Sequence, residues 1–148
     1  MVIKMRVFYL YQINELCLDL YEKYPYRLYH ILKDVYYTSK YNQPIAISSY
    51  DEITEKYNKV FIDNFINNEY RLKLYYHNIN HIHTISNTNE YSTLMISRYS
   101  LKLKTNLNYS SFFKTINDYN ENIFVCDFQN SDYFWLNRIV NNNKNIIK

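Results

Sequence analysis

Between Glu69 and His77 apolar and polar residues alternate. Tyr70, Leu72, Leu74 and Tyr76 fall on one side, and Arg71, Lys73, Tyr75 and His77 on the other. A period of two predicts a half-buried strand. Ser92–Ile96 and Leu101–Thr105 predict a hairpin that turns near Arg98-Tyr99-Ser100, with Leu101 and Leu103 facing the core and Lys102 and Lys104 facing water. Two further runs are apolar without alternation. Val7-Phe8-Tyr9-Leu10-Tyr11, within Arg6–Ile13, predicts the first strand. Ile123–Phe128, interrupted only by Asp127, predicts a central strand buried on both faces. The single tryptophan, Trp135, follows it and is read as a core plug that closes the sheet.

The remaining periodicity is helical. Asn14 is placed to cap a helix, with Glu15 in its first turn and Leu16, Leu20 and Tyr21 on one face, flanked by Cys17 and Tyr24. Pro25 predicts a break near Tyr24 and a second helix whose apolar side is Leu28, Ile31, Leu32 and Val35. The stretch Thr38–Ile47 reads as extended. Ser49 and Glu52 have capping-box spacing. They predict a helix with Tyr50, Ile53, Tyr57, Val60, Phe61 and Phe65 along one side, ending at Asn67-Asn68. Asn78–Glu90 reads as a weak strand or a loop. Asn108 or Ser110 caps a short helix that buries Phe112, Phe113, Ile116 and Tyr119. This order predicts an α/β (α+β) fold: a single two-layer domain over 5–140, with a polar tail over 141–148 expected to fray. Its mostly antiparallel sheet is expected to have about five strands, packed on one side against about three to four helices.

Composition narrows the chemistry. The 148 residues include 19 tyrosines and no glycine. Without glycine there is no P-loop, no dinucleotide fingerprint and no nucleophile elbow, and asparagine must supply the left-handed turn positions. Cys17 and Cys126 form neither a metal spacing nor a disulfide framework, and both read as reduced, buried thiols. The start of the chain is too short and too charged for a signal peptide, and no apolar run approaches membrane-spanning length, so a cytoplasmic protein is expected. A net charge of +3 is too mild for a dedicated DNA binder.

Three groups invite a chemical role. His77, His81 and His83 have some metal-ligand character, but no cysteine or acidic residue lies near them in sequence. Asp127 on a buried strand suits a general base less well than a structurally satisfied carboxylate. The tyrosines offer stacking surfaces for single-stranded nucleic acid, yet they are spread through every element and mostly fall on apolar faces. A binding protein without cofactor, metal or catalytic residues is therefore expected, with an aromatic single-strand binder as the alternative.

The tail Asp127-Phe128, then Tyr133, then Trp135-Leu136-Asn137 resembles the closing signature of the SirA family, the sporulation inhibitors of replication. Phe8-Tyr9-Leu10-Tyr11, Leu28–Asp34, Gln43-Pro44-Ile45, Ser92–Met95, Leu101 and Tyr109 with Phe112-Phe113 fall in order at compatible spacing. The resemblance implies a non-catalytic α/β protein that binds the N-terminal domain of the replication initiator DnaA and blocks its assembly at the origin. It implies partner contacts at Cys17 and Tyr21 on the first helix and at Tyr37. Tyr21 keeps the aromatic expected there; Cys17 replaces an aromatic and Tyr37 a glutamine. Lys23 and Phe134 stand where the family has glycine.

Overall fold

The computed structural model describes residues 4–147. Its elements are β1 (Arg6–Ile13), α1 (Glu15–Tyr21), α2 (Pro25–Thr38), α3 (Gln43–Ile53), β2 (Thr54–Glu55), α4 (Lys59–Tyr70) and β3 (Tyr76–Ile79), followed by β4 (Ile82–Ser86), β5 (Tyr91–Ile96), β6 (Leu101–Thr105), α5 (Ser111–Tyr119), β7 (Ile123–Asp127), β8 (Asp132–Trp135) and α6 (Leu136–Ile147). The α+β class and the antiparallel sheet are as expected. Among the described residues the sheet has eight strands rather than about five, in the order β3-β4-β5-β6-β1-β7-β8, with β2 paired to the end of β1. Among the described residues there are six helices rather than three to four.

β1 organises the sheet because it pairs on both sides. Phe8 stands opposite Leu103 of β6 and Leu10 opposite Val125 of β7. Alternation sends Phe8 and Leu10 to one face, where they meet Ile62 and Ile66 of α4, Phe112, Phe113 and Ile116 of α5, and Leu136 and Val140 of α6. It sends Tyr11 and Ile13 to the other face, with Leu28, Leu32 and Val35 of α2 and Ala46, Tyr50 and Ile53 of α3. Helices therefore lie on both faces of the sheet, not on one. A strand apolar on both faces leaves no alternative, since each face must be removed from water. β7 shows this most fully: all five of its residues are buried. The second helical layer stops at β1, and no residue of β3, β4, β5 or β6 joins its cluster.

Other departures have local causes. The chain over 43–47 is the first part of α3, not extended. Asn42 caps it by accepting the amide of Ile45, and Pro44 sits in its first turn. Ser49 is thus internal to a helix already running. The single helix expected from Ser49 to Asn68 is two: α3 ends at Ile53, β2 intervenes, and Asn58 caps α4 by accepting the amide of Phe61. The alternation over 69–77 does not make a strand. Helix α4 runs through Tyr70, whose hydroxyl meets Thr115 Oγ1 at 2.5 Å and whose ring lies edge-on to Phe112. Leu72 and Leu74 follow in a turn and are exposed. A period of two cannot hold a strand that has no neighbour to pair with. The pairing begins only at Tyr76, and Asn78–Glu90 supplies a hairpin in place of a loop. Its two-residue turn, Asn80-His81, has φ of 52° and 65°. Both central residues of this kind of hairpin turn need positive φ, which Asn80 and His81 adopt here without glycine. Helix α6 carries helical backbone into the stretch read as a tail.

Phe8 is fully buried and packs edge-on to Phe113 at 5.3 Å. Phe8→Ala is expected to cost about 3–5 kcal/mol by urea denaturation. Leu74→Ser leaves the urea midpoint unchanged within error if the turn is as described, and a large drop would restore the strand reading.

Candidate protein-binding face

Helix α1 is short, and four hydrogen bonds hold it in place. Asn14 Oδ1 accepts the amide of Cys17 at 2.9 Å, and Asn14 Nδ2 donates to the Glu52 carbonyl at 2.7 Å. Asn14 N donates to the Ile53 carbonyl. The start of α1 is therefore tied to the end of α3. At its other end, Trp135 Nε1 donates to the Glu22 carbonyl at 3.2 Å, so the buried tryptophan anchors the helix as well as closing the sheet.

These ties set the rotation of α1. Cys17 points inward and is 7% exposed, its sulfur 3.8 Å from the Glu52 carbonyl. Burial, reinforced by the Glu52 charge, pushes its thiol pKa up and away from the reactive thiolate. Leu16 and Leu20 are consequently turned to solvent, 68% and 55% exposed. The leucine face predicted for this helix exists, but it faces outward and Cys17 faces the core. Tyr21 is half-buried beside it and packs against the second cluster. Tyr37 lies near the far end of the 14-residue α2 and is exposed. At 1.5 Å per residue, α2 separates its two ends by about 20 Å. Cys17 and Tyr21 thus share α1, while Tyr37 lies in the last turn of α2.

The other candidates have structural surroundings. Asp127 is fully enclosed; its Oδ2 accepts Arg6 Nη2 at 2.9 Å, Arg6 Nε at 3.1 Å and Asn130 Nδ2 at 2.7 Å, and its Oδ1 accepts the Asn130 amide at 3.1 Å. Both carboxylate oxygens are used in holding β1, β7 and the following turn together. His81 and His83 converge on a carboxylate that sequence distance concealed: Asp63 of α4 lies 3.0 Å from His81 Nδ1 and 2.7 Å from His83 Nε2. His83 Nδ1 meets the Tyr76 hydroxyl at 2.6 Å. His77 lies on the other side of the hairpin. Among the described residues no three His, Cys, Asp or Glu side chains are grouped to hold a metal ion. Glu90 carried no sequence signal. It is buried, receives the Ser92, Ser110 and Ser111 hydroxyls and the Ser111 amide, and so occupies the amino end of α5. Several tyrosines sit in the core, among them Tyr11, Tyr29, Tyr50 and Tyr57.

The family model described as "Sporulation inhibitor of replication protein SirA" matches residues 6–140, from the first residue of β1 into α6. The chain belongs to the SirA family. A comparison with curated proteins returned no match. The match includes every element that places the SirA helix α1: the Asn14 cap, the end of α3 and Trp135. Among the described residues of this SirA protein, no helix is long and apolar enough to cross a membrane.

Removing the Arg6 side chain leaves Asp127 charged and enclosed with only its Asn130 bonds, so Arg6→Ala is expected to destabilise by about 3 kcal/mol in chemical denaturation. Stability is also expected to decline on acidification. Burial is the main cause that lowers the His83 pKa below its ordinary 6.5, outweighing the attraction of Asp63. The folded state then binds fewer protons than the unfolded one. The contribution of His83 is fully present above about pH 6.5 and is lost as pH falls through the folded pKa. Asp63 behaves in the same sense lower down. Burial opposes its ionisation, but the hydrogen bonds and charges of His81 and His83 hold its pKa below 3.8. A urea midpoint lower at pH 5 than at pH 7.5, with the difference reduced in His83→Gln, would bear this out; a midpoint that rises on acidification would refute it.

Proposed function

We propose that this protein is a non-catalytic inhibitor of replication initiation that binds the N-terminal domain of DnaA through the outer face of α1. The observation that carries the reading is the pair of outward leucines, Leu16 and Leu20, on a helix fixed at both ends by hydrogen bonds to the body of the fold. Solvent-exposed leucines on an immobilised helix lose little conformational entropy when covered, which favours a preformed docking surface. Membership of a family named for inhibition of replication supplies the class of partner.

Tyr21 flanks the leucines and offers a large ring with a polar tip, the kind of side chain on which binding energy concentrates. Cys17 acts from below: its contact with the Glu52 carbonyl sets the rotation that presents Leu16 and Leu20. Tyr37 contributes at the margin, reached only by a partner that extends along α2. A standard interface of about 800 Å² per partner fits a domain of this size. Such a surface inhibits sterically, by covering a helical face of the initiator domain that its other partners require.

Mixed with the DnaA N-terminal domain of the same organism, the purified protein is expected to co-elute in size-exclusion chromatography. Leu16→Asp/Leu20→Asp is expected to abolish the complex while leaving the circular dichroism melt unchanged, and Tyr21→Ala is expected to weaken it by about 2 kcal/mol. No interaction at tens of micromolar, or an interaction indifferent to the leucine substitutions, would rule out this surface.

A further inference from the structure

Where the second helical layer ends at β1, a cavity of about 390 Å³ opens between the carboxyl end of α2 and the sheet, lined by Tyr9, Tyr36, Lys40, Lys102, Lys104 and Phe128 among others. Its cationic character follows from register. Lys102 and Lys104 stand opposite Tyr9 and Val7 across the β1–β6 pair, so both lysines share the face of the sheet that the helices leave open. Lys40, just past the end of α2, approaches from the helical side with its Nζ 4.8 Å from the Tyr36 ring centroid; Lys102 Nζ is 5.9 Å from that of Tyr9. No aspartate or glutamate lines the cavity, and among the described residues none of the three lysines is paired with a carboxylate. Three ammonium groups converge on one cavity in a chain whose whole formal charge is +3.

We infer that this cavity is a binding site for adjacent phosphate groups, held by Lys40, Lys102 and Lys104 with the hydroxyls of Tyr9 and Tyr36. The two hydroxyls lie 3.1 Å apart, so whichever accepts from the other keeps a proton to donate to a ligand oxygen. Burial works to raise the Tyr36 pKa, but the hydrogen bond from Tyr9 and the nearby Lys40 hold it below its ordinary value, consistent with surroundings that favour negative charge. A single carboxylate would leave two of the three cations unmatched. Each phosphate in a chain of adjoining phosphates carries about one negative charge or more, so two or three neighbouring phosphates match the three cations. The site reads charge and not a base, because the Tyr36 ring is already occupied. Phe128 stacks on it at 4.6 Å and 19°, and Lys40 lies over it as well. Adjacent phosphates are presented both by a free di- or polyphosphate and by a single-stranded nucleic acid backbone. Of the residues proposed for docking only the marginal Tyr37 lines this cavity; Leu16 and Leu20, which carry that proposal, do not, so the two sites can be tested separately.

The test titrates the full chain at low salt with inorganic pyrophosphate by calorimetry and, in parallel, with a short labelled oligothymidylate by fluorescence anisotropy. Lys40→Gln/Lys102→Gln is compared with Lys59→Gln/Lys114→Gln, which removes the same charge from α4 and α5, and circular dichroism checks that both variants fold. Saturable binding that falls about tenfold or more in the first variant and holds within about twofold in the second is expected. Binding of pyrophosphate alone supports the site with free polyphosphate as its source. Binding of the oligonucleotide, displaced by pyrophosphate, supports it with nucleic acid as its source. Failure of both probes to bind, or an equal effect of the two variants, overturns the inference.

Discussion

The antiparallel pairing of β1 with β7 is the constraint from which the rest follows. Both strands are apolar on both faces, and the register that sets Leu10 against Val125 and Tyr11 against Phe124 gives each face an unbroken apolar strip. Neither strip can meet water, so α4, α5 and α6 gather on one side and α1, α2 and α3 on the other. The lone charge in β7, Asp127, is tolerated because Arg6 reaches across from β1 and the Asn130 amides complete its coordination. The pair that builds the core thus also locks in place the one carboxylate of β7.

The two helical layers differ in extent. The first covers the sheet from β4 to β7, as the shared cluster of Ile85, Leu94, Leu103 and Val125 shows. The second ends at β1, and the face of β6 beyond it carries lysines. That edge holds the lysine-lined cavity, at the carboxyl end of α2, whereas α1 with its outward leucines is tied to β8 through Trp135. Tyrosine suits such a boundary. Tyr9, Tyr36 and Tyr133 pack their rings on the second cluster from partly exposed positions, and the Tyr9 and Tyr36 hydroxyls bond to each other.

Asparagine takes over much of what glycine does elsewhere. Asn14, Asn42 and Asn58 cap α1, α3 and α4, and Asn80 opens the positive-φ turn of the β3–β4 hairpin; among the described residues the other positive-φ positions are filled by His81 and Ser131, so asparagine does not supply them all. Caps of this kind are strictly local, which is why Asn14 and Ser110 were legible from sequence. Asn42 followed by Pro44 was an equally local signal, obscured by the capping-box spacing at Ser49.

β1, β7, the β5–β6 hairpin, the break at Tyr24 and the short α5 follow from runs, prolines and caps within a few residues of themselves. So does the SirA signature of the tail, whose residues are the closing strand and its core plug. The alternation at 69–77 misled because a strand is decided by its neighbour, and Leu72 and Leu74 have none. The phase of α1 was equally hidden: a seven-residue helix with apolar residues around much of its circumference can bury either side. Only the contacts of Asn14 and Cys17 with the end of α3, and of Trp135 with Glu22, turn Cys17 inward and the leucines out. His81 and His83 gain Asp63, and Lys40 joins Lys102 and Lys104, only through contacts between elements far apart in sequence. Local pattern decides which elements form, because capping and periodicity act over a few residues; tertiary packing decides which face of each is left for a partner.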